Sequence, residues 1–407
     1  MKKYDVLILC RFFKPDKITA ANLAYETAAD FVKKGLKVRV VCGRTKMDDN
    51  DVKLLKKETI DGIDVRRLSY WQLPKSSKIG RIMSYLSFFF AIIFNWNLLR
   101  KTRCLLVYSD PPIMPIIAAL NRKIFKVKFI FVSYDIFPDI PIATGHIKEN
   151  SLICKAMIQT NNFVDKHVDK IIALSGEMKD YVLETRKYIS EEKIDIIPNW
   201  ANSQDSQLSN NVNEELLKLR EKYKMIVLYS GNMGIAQDMD TILQSAEKLV
   251  DNPDILFVFT GNGQKSVQIK ELVSTKNLKN VQMYDYLLGD DYTDMLKIAD
   301  VHVISLIEGI AGKAVPSKTY SYMAIGRPLI AILPEYMDIA QDIIQNSLGI
   351  AVSSGNIVNV IDYIYYLLDE KDEITSTGQR VLNVFNEKYI RSINTKKYYE
   401  IVNEMLR

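Results

Sequence analysis

Met225-Ile226-Val227-Leu228-Tyr229-Ser230-Gly231-Asn232-Met233-Gly234 is an apolar run closed by a glycine-rich turn, and a helical pattern from Gln237 to Val250 follows it. A short continuous apolar run of this length reads as a strand buried on both faces, the type found in parallel sheets. A glycine-rich turn between such a strand and a helix N-terminus suits an anion, because backbone N–H groups there lack partners and the helix dipole favours negative charge. A diphosphate is the natural guest, and Gly231, Asn232 and Gly234 are its candidate contacts. The turn lies past the middle of the chain, so the phosphate-binding unit belongs to a second α/β domain.

Outward from that stretch, strand-length apolar runs alternate with helical patterns in both directions, which predicts parallel sheets with crossover helices. In the first half the strands are Val6 to Cys10, Lys37 to Cys42, Cys104 to Tyr108, Val127 to Val132, Lys170 to Leu174 and Ile194 to Ile197. A helix from Ala20 to Lys34, closed by Gly35, completes the first βαβ unit. In the second half they are Met225 to Tyr229, Ile255 to Phe259, Val281 to Met283, Val301 to Ser305, Pro328 to Ile332 and Gly349 to Val352. The Asn-, Ser- and Gln-rich stretch Ala201 to Asn213 marks the linker. The expectation is two Rossmann-like α/β domains facing a central cleft: residues 1–200, residues 214–385, and a last helix over 386–407 that packs back on the first domain. Ligands in such sheets sit outside the carboxyl ends of the strands.

Composition narrows the function. The chain has 407 residues, 48% hydrophobic and 25% charged, which suits two globular domains of roughly 200 residues each. A net charge of +5 gives no argument for nucleic acid. Cys10, Cys42, Cys104 and Cys154 are far apart, which argues against a zinc site and a disulfide framework and fits a reducing cytoplasm. No signal peptide is expected, since Val6 to Cys10 is short and Arg11 follows it. The strongest apolar stretch, Ile82 to Leu99, contains Phe88, Phe89 and Phe90 but is interrupted by Ser84, Ser87, Asn95 and Asn97. It falls short of the roughly 20 apolar residues that span a bilayer. Lys75, Lys78 and Arg81 before it and Arg100, Lys101 and Arg103 after it suit either a core helix with solvated ends or one lying among anionic lipid headgroups.

His146, His167 and His302 are the only histidines, and no Ser-His-Asp order or metal-ligand cluster can be drawn. Neither the turn at Gly231 nor Gly261-Asn262-Gly263 completes G-x-G-x-x-G, so a nicotinamide dehydrogenase is disfavoured. The remaining polar clusters sit at strand ends. Ser133-Tyr134-Asp135-Ile136-Phe137-Pro138-Asp139 follows Val132 and offers Asp135 as a loop cap or as a carboxylate facing substrate hydroxyls. Gly312-Lys313-Ala314-Val315-Pro316-Ser317-Lys318 precedes a helix at Thr319 to Ile325, and two lysines at a helix start suit a leaving diphosphate.

Read together, Ser109-Asp110-Pro111-Pro112, Asp135 to Asp139, Leu174-Ser175-Gly176-Glu177-Met178, Ile197-Pro198-Asn199-Trp200, Tyr229 to Gly234 and Val315-Pro316-Ser317-Lys318-Thr319-Tyr320-Ser321-Tyr322-Met323-Ala324-Ile325-Gly326-Arg327-Pro328 resemble the retaining GT-B glycosyltransferases of family four. Within that family the chain is similar to bacterial L-fucosamine transferases of O-antigen and capsule assembly. The resemblance implies a UDP-sugar donor held mainly by the second domain and an acceptor held mainly by the first. It also implies retention at the anomeric carbon, no metal and no separate cofactor. Its residues here are Lys318 and Asp135 for catalysis, with Gly231, Asn232, Gly234, Gly261, Asn262, Gly263, Lys313, Pro316, Ser317 and Ser321 on the donor. The chain departs from the pattern at Ser321, where a glutamate is usual, at Glu308, a loose match to the first of the family's two glutamates, and at Tyr134-Asp135, where a His-Asp pair is common. The expected activity is transfer of an N-acetylated amino or deoxyamino sugar to a polyprenyl-linked oligosaccharide by a peripheral protein at the inner membrane face. A UDP-sugar epimerase and a non-catalytic nucleotide-sugar-binding subunit are the alternatives.

Overall fold

In the computed structural model, residues 3–45, 54–73, 78–203, 208–209 and 212–407 are described. Lys75 and part of the expected linker fall outside them. The chain divides into two compact units, Met1–Asn199 with Arg391–Arg407, and Trp200–Ile390.

The first unit runs β1 (Tyr4–Leu9), α1 (Thr19–Lys33), β2 (Val38–Gly43), β3 (Lys57–Ile60), β4 (Ile63–Leu68), α2 (Lys78–Phe94), β5 (Thr102–Tyr108), α3 (Met114–Phe125), β6 (Lys128–Val132), α4 (Asp139–Ala143), α5 (Leu152–His167), β7 (Lys170–Ala173), α6 (Gly176–Thr185) and β8 (Ile194–Ile196). Its sheet has the order β3-β4-β2-β1-β5-β6-β7-β8, parallel except for β3 against β4. The hairpin β3–β4 was not expected, because Lys57-Glu58-Thr59-Ile60 is too polar to read as a strand. It forms through an Asp61-Gly62 turn in which both residues take positive φ, the two-residue turn that matches strand twist. The central strands are buried because each apolar run is covered on both faces: Val6 to Leu9 and Cys104 to Val107 are sealed from solvent. All four cysteines are buried and none forms a disulfide.

The second unit runs α7 (Glu214–Lys222), β9 (Met225–Ser230), α8 (Asp240–Lys248), β10 (Ile255–Thr260), α9 (Ser266–Thr275), β11 (Val281–Tyr284), α10 (Gly289–Ile298), β12 (Val301–Ser305), α11 (Thr319–Ile325), β13 (Leu329–Ile332), α12 (Asp338–Gln345), β14 (Gly349–Val352), α13 (Ile357–Asp369) and α14 (Lys371–Lys388). Its six strands lie in the order β11-β10-β9-β12-β13-β14, all parallel. The last helix is two helices: α14 ends at Lys388, and α15 (Arg391–Leu406) begins after Tyr389 and Ile390. The chain passes to the first unit at 390/391 rather than 386. Lys388 and Tyr389 are held in the second unit by Asp342. Arg391 opens α15 in the first unit, 2.7 Å from Asp30, and α15 buries Tyr398, Ile401 and Val402 against α1 and β5.

In each sheet the strand order reverses once, between β1 and β5 in the first unit and between β9 and β12 in the second. Loops leaving adjacent strands there diverge to opposite faces and open a crevice at the carboxyl edge, where doubly wound sheets bind ligands.

Candidate functional site

At the reversal in the second unit, the loop after β9 carries Gly231 and the segment after β12 leads to Lys318 at the start of α11. The two meet: a Cβ built on Gly231 would stand 2.9 Å from the Lys318 Nζ, and Gly231 takes φ +128. The ammonium lies 3.8 Å from the centroid of the Tyr229 ring. Lys318 as a residue is half-exposed, but its Nζ is buried and has no hydrogen-bond partner. Burial pushes its pKa down to about 7, with no carboxylate contributing. The ring offsets only part of the desolvation cost, since a cation over an aromatic face recovers about 0.5–2 kcal/mol. A buried unpaired cation is costly, and an anion placed against it would remove that cost.

The glycine turn works differently from the expectation. Three of its amides are already engaged: Gly231 N–H donates to Thr260 O at 2.8 Å, Met233 N–H to Asn262 O at 3.0 Å, and Gly234 N–H to Gln237 Oε1 at 3.0 Å. The following helix begins at Asp240 rather than Gln237, and Asp238 caps it through the Thr241 N–H and hydroxyl. With Asp238 and Asp240 at its start, the α8 terminus repels an anion. Gly261 and Gly263 are packing glycines. A Cβ at Gly261 would meet Gly231 O at 2.1 Å, and one at Gly263 would meet Met233 O at 2.3 Å. They let the β9 and β10 loops close on one another, which leaves Lys318 as the chemistry of the site. Asn232 is exposed, and Asn262 uses its side chain on Gly263 N–H and Ser266.

Of the remaining predicted residues, Lys313 is drawn to Gly309 O at 2.7 Å. Pro316 and Ser317 form the turn into α11, where Thr319 N–H donates back to Pro316 O. Ser321 lies one residue from Tyr322, whose hydroxyl accepts from Ser230 N–H at 2.8 Å and donates to Ser230 O at 3.0 Å. Tyr292 of α10 lies beside Ser321 and Ser230, and burial raises its pKa. Tyr229, Tyr292 and Tyr322 were missed because aromatic residues at such spacings read as core. Glu308 is exposed. His302 is a core residue, its Nε2 2.9 Å from Leu296 O and its pKa pushed down to about 3 by burial.

At the reversal in the first unit, Arg11 after β1 stands 3.6 Å from Asp110 after β5. Asp135 follows the neighbouring β6, its N–H turned toward Ser109 Oγ. Burial, then the charge of Asp110, push the Asp135 carboxyl up to about 6. Asp139 is structural, bound by the Tyr181 hydroxyl at 2.8 Å and by Arg186 at 3.6 Å. Asp135 is therefore the carboxylate of that pair not spent on packing. Among the described residues no His, Cys, Asp and Glu cluster could hold a metal ion.

Two families match consecutive parts of the chain: glycosyltransferase family 4 over residues 20–205 and glycosyl transferases group 1 over residues 213–381. A probable glycosyltransferase, WbjE of Pseudomonas aeruginosa, is 24% identical over 345 residues, which is 83% of this chain and 84% of that one. The putative colanic acid biosynthesis glycosyl transferase WcaI of Escherichia coli K12 is 26% identical over 191 residues, 46% of each chain. HepE of Anabaena, solved in complex with UDP, superposes with a TM-score of 0.68 at 11% identity, over 98% of this chain and 100% of that one. The fold is GT-B.

Proposed function

We propose that this chain, of GT-B fold and matched over residues 213–381 by the group 1 glycosyl transferases, is a retaining, metal-independent glycosyltransferase. It moves an N-acetylated amino or deoxyamino sugar from a UDP-sugar to a polyprenyl-linked oligosaccharide in surface polysaccharide assembly, of the capsule or O-antigen type. The observation that carries the donor half is the buried, unpartnered Lys318 ammonium beside Gly231, because a nucleoside diphosphate supplies the anion it lacks. As the glycosidic bond to the diphosphate breaks, negative charge grows on the leaving oxygen, and an ammonium already in place stabilises that charge without reorganisation. Retention follows if the leaving diphosphate itself takes the acceptor's proton, with Asp135 orienting the acceptor hydroxyl.

The membrane part of the proposal rests on α2. Among the described residues no helix is long and apolar enough to cross a bilayer. The helix has an inner stripe, Ser84, Phe88 and Ile92, and an outer one with Ile79, Ile82, Phe90 and Phe94 exposed. Phe88 therefore belongs to the core, and Phe90 and Phe94 are the aromatic residues that would face lipid at the inner membrane face.

The test is thermal stabilisation by a panel of nucleotide sugars, since a ligand of the native state raises its melting temperature, followed by transfer to a lipid-linked acceptor. Stabilisation by UDP and UDP-sugars with product formation is expected. Binding without transfer to any acceptor would leave only a nucleotide-sugar-binding subunit.

A further inference from the structure

Lys318 acts from the start of α11, a helix of only seven residues, Thr319–Ile325. So short a helix is not stable by itself in water, and its place and its roll about its own axis are set by what packs on it. Lys318 already has helical dihedrals, φ -67 and ψ -22. At about 100° per residue, Lys318 and Tyr322 therefore share one face a turn apart, while Tyr320 points to the opposite side.

The contacts of α11 lie on both sides. Tyr322 grips the glycine loop through Ser230 N–H and O, at 2.8 and 3.0 Å. At the far end Gly326 lies hard against α14, where a Cβ on Gly378 would meet Gly326 O at 2.2 Å. On the side away from the loop the Tyr320 ring packs on the Tyr389 ring, with centroids 5.3 Å apart and planes at 59°. Both tyrosines are buried, so this is a packed contact rather than a surface one.

Tyr389 is itself fixed. Its hydroxyl donates to one carboxylate oxygen of Asp342 in α12, whose other oxygen takes Lys388 Nζ. Its carbonyl accepts from Ala201 N–H at 3.2 Å. Burial, then the charge of Asp342, push the Tyr389 pKa up, which keeps the hydroxyl a donor. Turning α11 about its axis would lift Lys318 and Tyr322 together off the Ser230-Gly231 loop, and the ring pair on the opposite side resists that turn.

We propose that Tyr389, acting through Tyr320, is a positioning residue that sets the roll of α11 and so keeps the Lys318 ammonium against Gly231 and the Tyr229 ring. The inference deepens the proposed function and rests on it only for the nucleotide that the ammonium meets.

The test reads Lys318 itself by NMR of the full-length protein with lysine Cε isotopically labelled, its signal identified by its loss in Lys318→Met. In the wild type the signal titrates at about 7, because burial depresses it. Tyr389→Leu moves that titration up toward the ordinary 10.5 as the ammonium regains water, and weakens UDP by up to about tenfold, the size of one aromatic pair. Tyr389→Phe keeps the ring and the wild-type titration. Tyr320→Leu, made from the other side of the pair, gives the same shift, and the double leucine variant gives no more than either. A Tyr389→Leu protein whose Lys318 titrates as in the wild type overturns the proposal, and so does a phenylalanine variant displaced as far as the leucine one. The signal needs no nucleotide. If it moves as expected in a protein that binds no UDP, the positioning stands and the donor reading falls. If UDP binds while the variants leave Lys318 unmoved, the donor reading stands and the positioning falls.

Discussion

The two strand-order reversals have the same topology and opposite electrostatics. In the first unit Arg11 and Asp110 face one another, so the crevice carries both signs. In the second, Lys318 is buried against a tyrosine ring and a glycine, with no counter-charge in reach of hydrogen bonding. Fold alone makes both places fit for ligands. The unpaired cation makes only the second demand an anion, because a buried charge without a partner is a cost the folded protein carries until something binds.

Removing that cation should break the contrast most strongly. Lys318→Met should lower sugar transfer by about 10²–10³-fold, the loss seen when one donor to a developing charge is deleted, and weaken UDP in calorimetry. Its melting temperature should hold or rise, since a depressed lysine pKa means that the unfolded state binds more protons between about 7 and 10.5. At neutral pH and below the buried ammonium therefore opposes folding, and a methionine removes the opposition. A variant with near-normal turnover would end the role given to Lys318.

The loop packing behind it comes next. Gly261→Ala forces a Cβ into the Gly231 carbonyl and holds φ at +119, so a loss of about 3 kcal/mol is expected, read as a lower denaturation midpoint. An unaffected midpoint would show that the two glycine loops do not depend on each other.

In the first unit, Asp135→Asn should cut turnover by about 10²-fold, within the range for a positioned carboxyl group. Its pKa of about 6 sets the sign: the carboxylate is present above pH 6, so wild-type activity should rise through that value. A variant that keeps the same rise would assign it to another group.

The smallest effect sharpens the comparison most finely. A diphosphate favours the charged form of Lys318, so UDP should bind more tightly as pH falls through about 7, by up to about tenfold per unit, and Lys318→Met should remove the contribution of this group. Proton uptake on binding, measured in buffers of different ionisation heat, checks the same linkage. No uptake near pH 7 would mean that the free protein already holds the ammonium charged.

Much of the fold was legible because parallel strands buried on both faces announce themselves as continuous apolar runs, as in Val6 to Leu9, Met225 to Leu228 and Ile255 to Phe259. The hairpin at Lys57 to Leu68 was not, since an edge pair with one wet face mixes charge into both strands. Lys318 was picked out from its place before a helix, yet the reason it matters was invisible. Gly231 looked like an amide donor and is instead the space that Lys318 fills.

The order of apolar runs, the glycines and the charge-poor aromatic helix are local facts of the chain, and from them the sequence by itself determined two doubly wound units and a basic-flanked helix. Which amides are already engaged, which lysine loses its water and which aromatic face of α2 points outward depend on segments far apart in sequence. Ser230 and Tyr322, or Gly231 and Thr260, meet only when parallel strands bring distant loops to one edge. Hydrogen-bond satisfaction and desolvation are properties of that meeting, so only the tertiary structure decided them.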